Sequence, residues 1–153
     1  MIQFIAKRQN GATLIEVLIA VVVLSIGLLG LAGLQVTSVQ SNHSAYQRSQ
    51  ATLLANDLAD RMRANRTEAL TNAYLTDYPT SSSSNAVTGT QAAKDKAEWL
   101  NSLARALPNG TGKVEKSGTL VIIHIRWNDN RGRIATSTAA ADADTIFTYR
   151  TEI

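Results

Sequence analysis

Lys7-Arg8-Gln9-Asn10-Gly11-Ala12-Thr13-Leu14-Ile15-Glu16-Val17-Leu18-Ile19-Ala20 opens the stretch that decides how the chain is built. From Ala12 to Leu34 the chain runs for 23 residues with a single charge, Glu16. At roughly 1.5 Å per residue, a helix of that length reaches about 34 Å, enough to cross a hydrocarbon layer of about 30 Å. Lys7 and Arg8 precede the run and, His43 aside, no charge follows it until Arg48. The N-terminus is therefore expected to stay cytoplasmic, with everything after Leu34 exported. The competing interpretation is a secretory signal peptide with Gly30-Leu31-Ala32 as its cleavage site. Its apolar core would exceed the usual length of about 7–15 residues and would hold a carboxylate, which such cores have no reason to include.

The rest of the composition is less directive. The 153 residues carry 15 Lys+Arg against 12 Asp+Glu, and without residues 1–11 the balance is 13 to 12, which argues for no acidic partner. The absence of cysteine excludes a disulfide framework, a thiolate nucleophile, a Cys-ligated zinc site and an iron–sulfur cluster. No cofactor is implied.

Glu16 needs an explanation, because an ionisable group in a membrane span costs up to about 3 kcal/mol at the centre. One explanation is local: a carboxylate in the first helical turn is favoured by the macrodipole and can reach the headgroups. Its setting suggests another. A short basic leader ends in Gly11, a hydrophobic stretch starts at once, and glutamate stands fifth after the glycine, followed by Val17-Leu18-Ile19-Ala20. This resembles the type III signal sequence of type IV prepilins and type II secretion pseudopilins. The resemblance implies that a membrane-embedded prepilin peptidase cuts between Gly11 and Ala12, that the new amine of Ala12 is methylated, and that the span is retained. Glycine before the cut adds no Cβ to a peptide bond entering a protease cleft. Ala12 departs from the phenylalanine common at the first mature position. The resemblance also implies that Glu16 neutralises the N-terminal amine of a neighbouring subunit during docking. A carboxylate and an ammonium, each costly in low dielectric, become tolerable together.

Gly27, Gly30 and Gly33 recur every three residues in the span, each costing close to 1 kcal/mol of helix propensity relative to alanine. Small residues let helices approach closely in a membrane; the resemblance implies instead that this part of the helix unwinds in an assembled filament.

With no proline before Pro79, one helix is expected from Ala12 to about Leu70, its second half (35–70) amphipathic. Leu54, Leu58 and Met62, beside Ala51, Ala55 and Ala59, form the packing face, with Arg61, Arg63 and Arg66 towards another side. The region 71–153 reads as exported and globular. Thr76-Asp77-Tyr78-Pro79-Thr80 and the four serines after it read as a surface loop, a candidate for O-glycosylation. A shorter helix is expected over 91–107, burying Trp99, Leu100, Leu103 and Leu107 and stopped by Pro108-Asn109-Gly110. Strands are expected at 113–116, at 119–127 with Val121, Ile123, Ile125 and Trp127 inward, and at 145–153 with Phe147, Tyr149 and Ile153 inward. The expected fold class is α+β and type IV pilin-like: a long N-terminal helix, membrane-spanning in its first half, packed on a small C-terminal antiparallel sheet.

Enzymatic readings find little support, since His43 and His124 lie in no nucleophile, phosphate-loop or metal-protease motif. Asn128-Asp129-Asn130-Arg131-Gly132 superficially matches a calcium loop but lacks alternating carboxylates and the distal bidentate glutamate. Arg61, Arg63 and Arg66, with Arg126, Arg131 and Arg133, are the candidate nucleic-acid patch of a DNA-uptake pilin, although low net charge makes nucleic acid an unexpected partner. The stretches Ala12–Ala20, Ile26–Gln35 and Ile125-Arg126-Trp127-Asn128 resemble PilV-type pilus modification proteins. That resemblance implies a minor pilin whose partners are prepilin peptidase, other minor and major pilins and the inner-membrane assembly machinery. Its location would be the inner membrane and then the pilus surface. A type II secretion minor pseudopilin and a plain single-span anchor of a periplasmic domain are the alternatives.

Overall fold

The computed structural model describes residues 11–79, 85–129 and 144–153. Six elements follow in order: α1 (Leu14–Ala64), α2 (Arg66–Leu70), α3 (Gln91–Ala106), β1 (Thr111–Ser117), β2 (Leu120–Asn128) and β3 (Asp144–Glu152). The chain divides into two compact units, Met1–Ser38 and Val39–Ile153.

Thr13 starts α1, its carbonyl accepting the Glu16 and Val17 amides at 3.1 and 3.2 Å while its hydroxyl stands 3.4 Å from the Glu16 amide. A threonine just outside the first turn satisfies amides that have no partner within the helix. The expected single helix to Leu70 is corrected here, because α1 stops at Ala64. Asn65 leaves helical geometry at φ −114° and ψ 52°. Its side-chain amide donates to Glu68 at 3.1 Å and to the Tyr74 hydroxyl at 3.3 Å. A short polar side chain that finds partners outside the helix competes with helix continuation.

In the second unit α1 presents Ala51, Ala55, Leu58, Ala59 and Met62 to one core with Trp99, Leu100 and Leu103 of α3. The alanines matter because small side chains let a helix lie close against its neighbours. β1, β2 and β3 form an antiparallel sheet in that order. β2 is central and alternates strictly, burying Val121, Ile123, Ile125 and Trp127. Phe147, Tyr149 and Ile153 pack against the same core but are only partly buried, as edge-strand residues are. The long helix thus packs on a small three-stranded antiparallel sheet, an α+β fold consistent with a type IV pilin.

Two local details hold the layers together. A Cβ at Gly112 would run into the Trp99 ring, so the absence of a side chain there lets the indole lie on β1. Gly118 takes φ +66° in the turn between β1 and β2, a conformation costly for residues with a Cβ. The segment read as a plain surface loop is partly structured: Thr76 forms a bridge with Val114 on the outer edge of β1, and Arg126 stacks over the Tyr78 ring at 4.4 Å. Thr80, the serines 81–84, Arg131, Arg133 and residues 135–143 lie outside the described residues.

Candidate functional site

Gly11 and Ala12 are exposed and precede the first helical residue, so the bond between them lies outside the helix. An unwound, accessible bond is what a protease cleft requires. After it, every residue through Val39 is exposed, including Leu14, Leu29 and Leu34. The apolar stretch is long enough to cross a membrane by length and composition. Apolar surface on this scale, with no protein over it, is compatible with lipid or with other helices.

The polar groups within the stretch are treated differently from one another. Ser25 donates to the Val21 carbonyl at 2.7 Å and Thr37 to the Gly33 carbonyl at 3.1 Å, so both are satisfied by their own helix. The Glu16 carboxylate, by contrast, has no hydrogen-bond or ion-pair partner among the described residues. Gly27, Gly30 and Gly33 all lie within α1, and a Cβ at any of them would meet nothing within 4 Å.

Two of the three candidate arginines, Arg61 and Arg63 on α1, are paired with carboxylates. Arg61 turns towards α3, reaching Glu98 at 2.6 Å and Asp95 at 3.4 Å while its Nε binds Asp57 at 3.1 Å. The Glu98 hydrogen bond is the main cause of its raised pKa. Arg63 leaves the helix on the other side, pairing with Asp60 at 2.7 Å and donating to Thr151 of β3. Arg66 is exposed. His43 contacts Gln47 at 3.0 Å, and His124 contacts the Thr148 hydroxyl at 3.1 Å and Glu115 at 3.3 Å. Asp129 is buried and accepts from Ser44 at 2.8 Å, while the three residues after it in the calcium-like turn lie outside the described residues.

Sequence reasoning missed a buried polar junction. The Asp95 carboxylate, 4% exposed, accepts from Tyr74 at 2.5 Å, Gln91 at 2.8 Å and Arg61. The available signal was its position on α3, one turn before Trp99 on the core face. Burial, and then the bond to Asp95, push the Tyr74 phenol up from 10.0 to about 12. An unfolded chain would ionise this phenol first, so its contribution is complete below pH 10 and is lost as pH rises towards about 12. Tyr74→Phe is therefore expected to cost about 1–2 kcal/mol at neutral pH. The gap to the unsubstituted protein should narrow as denaturation is followed upward through that window. A constant gap would show that the phenol plays no part.

Comparisons with known proteins bear on both units. Residues 6–32 match the prokaryotic N-terminal methylation motif, and residues 33–101 match the Tt1218-like family, described as type IV pilin Tt1218. Over these two stretches the chain is similar to type IV prepilins. No curated protein and no solved structure gave a match. The matched family is structural rather than enzymatic, and the methylation motif implies processing by prepilin peptidase and assembly into a pilus. Motif and apolar helix together fit membrane anchoring and a location in the pilus or at the cell surface.

Proposed function

We propose that this prepilin-like chain is a minor type IV pilin of the PilV-like kind, incorporated to prime assembly or modify the filament. Prepilin peptidase removes residues 1–11 by cutting between Gly11 and Ala12, and the amine so formed on Ala12 is methylated. Glu16 then offers its carboxylate to the N-terminal ammonium of an adjoining subunit. The observation that carries this reading is the contrast inside the span: Ser25 bonds its own helix, while the carboxylate of Glu16 has no partner among the described residues. A charge placed in lipid without an internal partner is stabilised by an external cation. The bond at Gly11, accessible and outside the helix, supports cleavage there. Gly27, Gly30 and Gly33 supply the weak point at which the helix unwinds on assembly.

Mass spectrometry of the membrane-extracted chain tests the reading directly. The expected N-terminus is Ala12 with one added methyl group, whereas an intact leader would make the protein a plain single-span anchor. Gly11→Val should leave the leader attached on most of the protein, because a branched Cβ obstructs the extended bond. Recovery of the processed chain in sheared pili supports the pilin role, and its retention with a secretion apparatus would identify a minor pseudopilin instead.

A further inference from the structure

The two outer edges of the sheet are treated differently. Val114 of β1 exchanges both backbone bonds with Thr76, at 2.9 and 3.3 Å, and the charged Lys113, Glu115 and Lys116 stand around it. β3 has β2 on one side and, among the described residues, no strand on the other. Ile153 donates to the Thr119 carbonyl at 3.3 Å, and the same one-to-one register runs back through β3 to Asp144. Antiparallel pairs alternate between residues that exchange bonds and residues that turn both groups away. The backbone N–H and C=O of Ile146, Thr148 and Arg150 therefore point out from the open edge. From Thr145 to Tyr149 that edge carries no charge, proline or bulge, the devices that keep other chains off a strand. Near its start lies a cavity of about 150 Å³ lined by Arg48, Trp127, Thr145, Ile146 and Phe147. Thr145 and Phe147 lie on the core side of the sheet and Ile146, 57% exposed, on the outer side, so the cavity reaches round the open edge.

We propose that this edge takes up an extended peptide segment of a partner protein, which adds as a fourth strand and sets a carboxylate against Arg48. Arg48 is exposed and has no hydrogen-bond or ion-pair partner among the described residues, whereas Arg61, Arg63 and Arg126 are each paired with a carboxylate. An unpaired guanidinium beside the groove selects an acidic occupant, and its fork of donors fits a carboxylate. The cavity is smaller than the roughly 300–1,000 Å³ that encloses a small molecule, and it suits a single side chain. Strand addition uses both features. Backbone bonds to Ile146 and Thr148 supply affinity, while the cavity and Arg48 choose the side chains. The docking edge lies wholly within the unit Val39–Ile153 and does not rest on the filament reading.

The full-length chain in detergent is titrated against labelled acetyl-Thr-Val-Glu-Val-Thr, and against the same peptide with Lys in place of Glu, by fluorescence anisotropy. The acidic peptide is expected to bind at least roughly tenfold more tightly than the basic one. Arg48→Glu should reverse that preference, and since this side chain is exposed the core is untouched. Thr148→Pro deletes an N–H that points away from β2, so the ladder keeps its bonds. It should weaken binding of the acidic peptide at least about tenfold, whereas Thr148→Ala, which keeps the N–H, should stay within roughly twofold of the unsubstituted chain. The charge swap at Arg48 decides the matter even where proline unsettles the strand. Equal binding of the two peptides, an acid preference that survives Arg48→Glu, equal loss in Thr148→Ala and Thr148→Pro, no binding of either peptide, or pairing with a second copy of the chain in place of the peptide would each overturn the proposal.

Discussion

Replacing Glu16 with alanine is expected to leave removal of residues 1–11 largely intact and to reduce the amount of chain recovered in filaments by more than about tenfold. A charge left without its partner in low dielectric costs several kcal/mol, and each 1.4 kcal/mol is a factor of about ten in an equilibrium. On the proposed function, filament entry places the carboxylate of one subunit beside the new ammonium of another. Removing the acid leaves that ammonium uncompensated, and the loss falls on docking, not on the peptidase step. Glu16→Gln separates charge from shape, since it keeps the side-chain volume and most of the polarity; it should behave like the alanine variant. Glu16→Lys, which sets like charges together, should be worse than either. The competing account places Glu16 in the first turn, favoured by the macrodipole and solvated by headgroups. On that account all three variants alter membrane insertion slightly and filament yield little. Normal incorporation of Glu16→Gln would decide for it.

How far the molecule was legible depended on which force specified each part. The apolar first half of α1 was readable as helix because 23 residues with one charge admit few structures. β2 was readable because strict alternation over Val121, Ile123, Ile125 and Trp127 has one sensible face. The end of α1 was not, since Asn65 breaks the helix through bonds to Glu68 and Tyr74 that only the folded chain provides. Gln47 shows the same limit. It lies in a run dominated by Ser, Gln and Asn, yet it is 2% exposed and accepts from the Trp127 indole at 3.0 Å. Buried polar residues are specified by partners distant in sequence, so local pattern cannot find them. Arg61 shows it too: its place on α1 said nothing of the carboxylates on α3 that bind it. At the N-terminus, sequence supplied the identities of Gly11, Ala12 and Glu16. The structure added that the Gly11–Ala12 bond precedes the helix and that the Ser25 hydroxyl bonds its own helix.

Trp99→Ala should destabilise the unit Val39–Ile153 by about 3–5 kcal/mol while leaving N-terminal processing unchanged. Trp99 is fully buried, its ring lies over Gly112 of β1, and its Nε1 donates to the Leu54 carbonyl of α1 at 3.0 Å. One side chain on α3 thus touches both the strand layer and the long helix, and truncation opens a cavity that the glycine opposite cannot fill. For a unit of about this size the loss is a large share of a total stability of roughly 5–15 kcal/mol. It corresponds to a fall in Tm of the order of 10–25 °C. Near-ultraviolet circular dichroism of the full chain in detergent would record it. Trp99→Phe keeps a ring over Gly112 and loses only the indole bond, so it should cost less than half as much. Leu53→Ala, at an exposed position on α1, should change the midpoint hardly at all. If Trp99→Ala and Leu53→Ala melted alike, the indole would not be what joins the helix to the sheet. Glu16→Ala should not move this transition, because no buried residue lies in Met1–Ser38 among those described. Stability of the folded unit and the chemistry of the chain's start can therefore be altered one at a time, and a variant that changed both would contradict the separation of the two units.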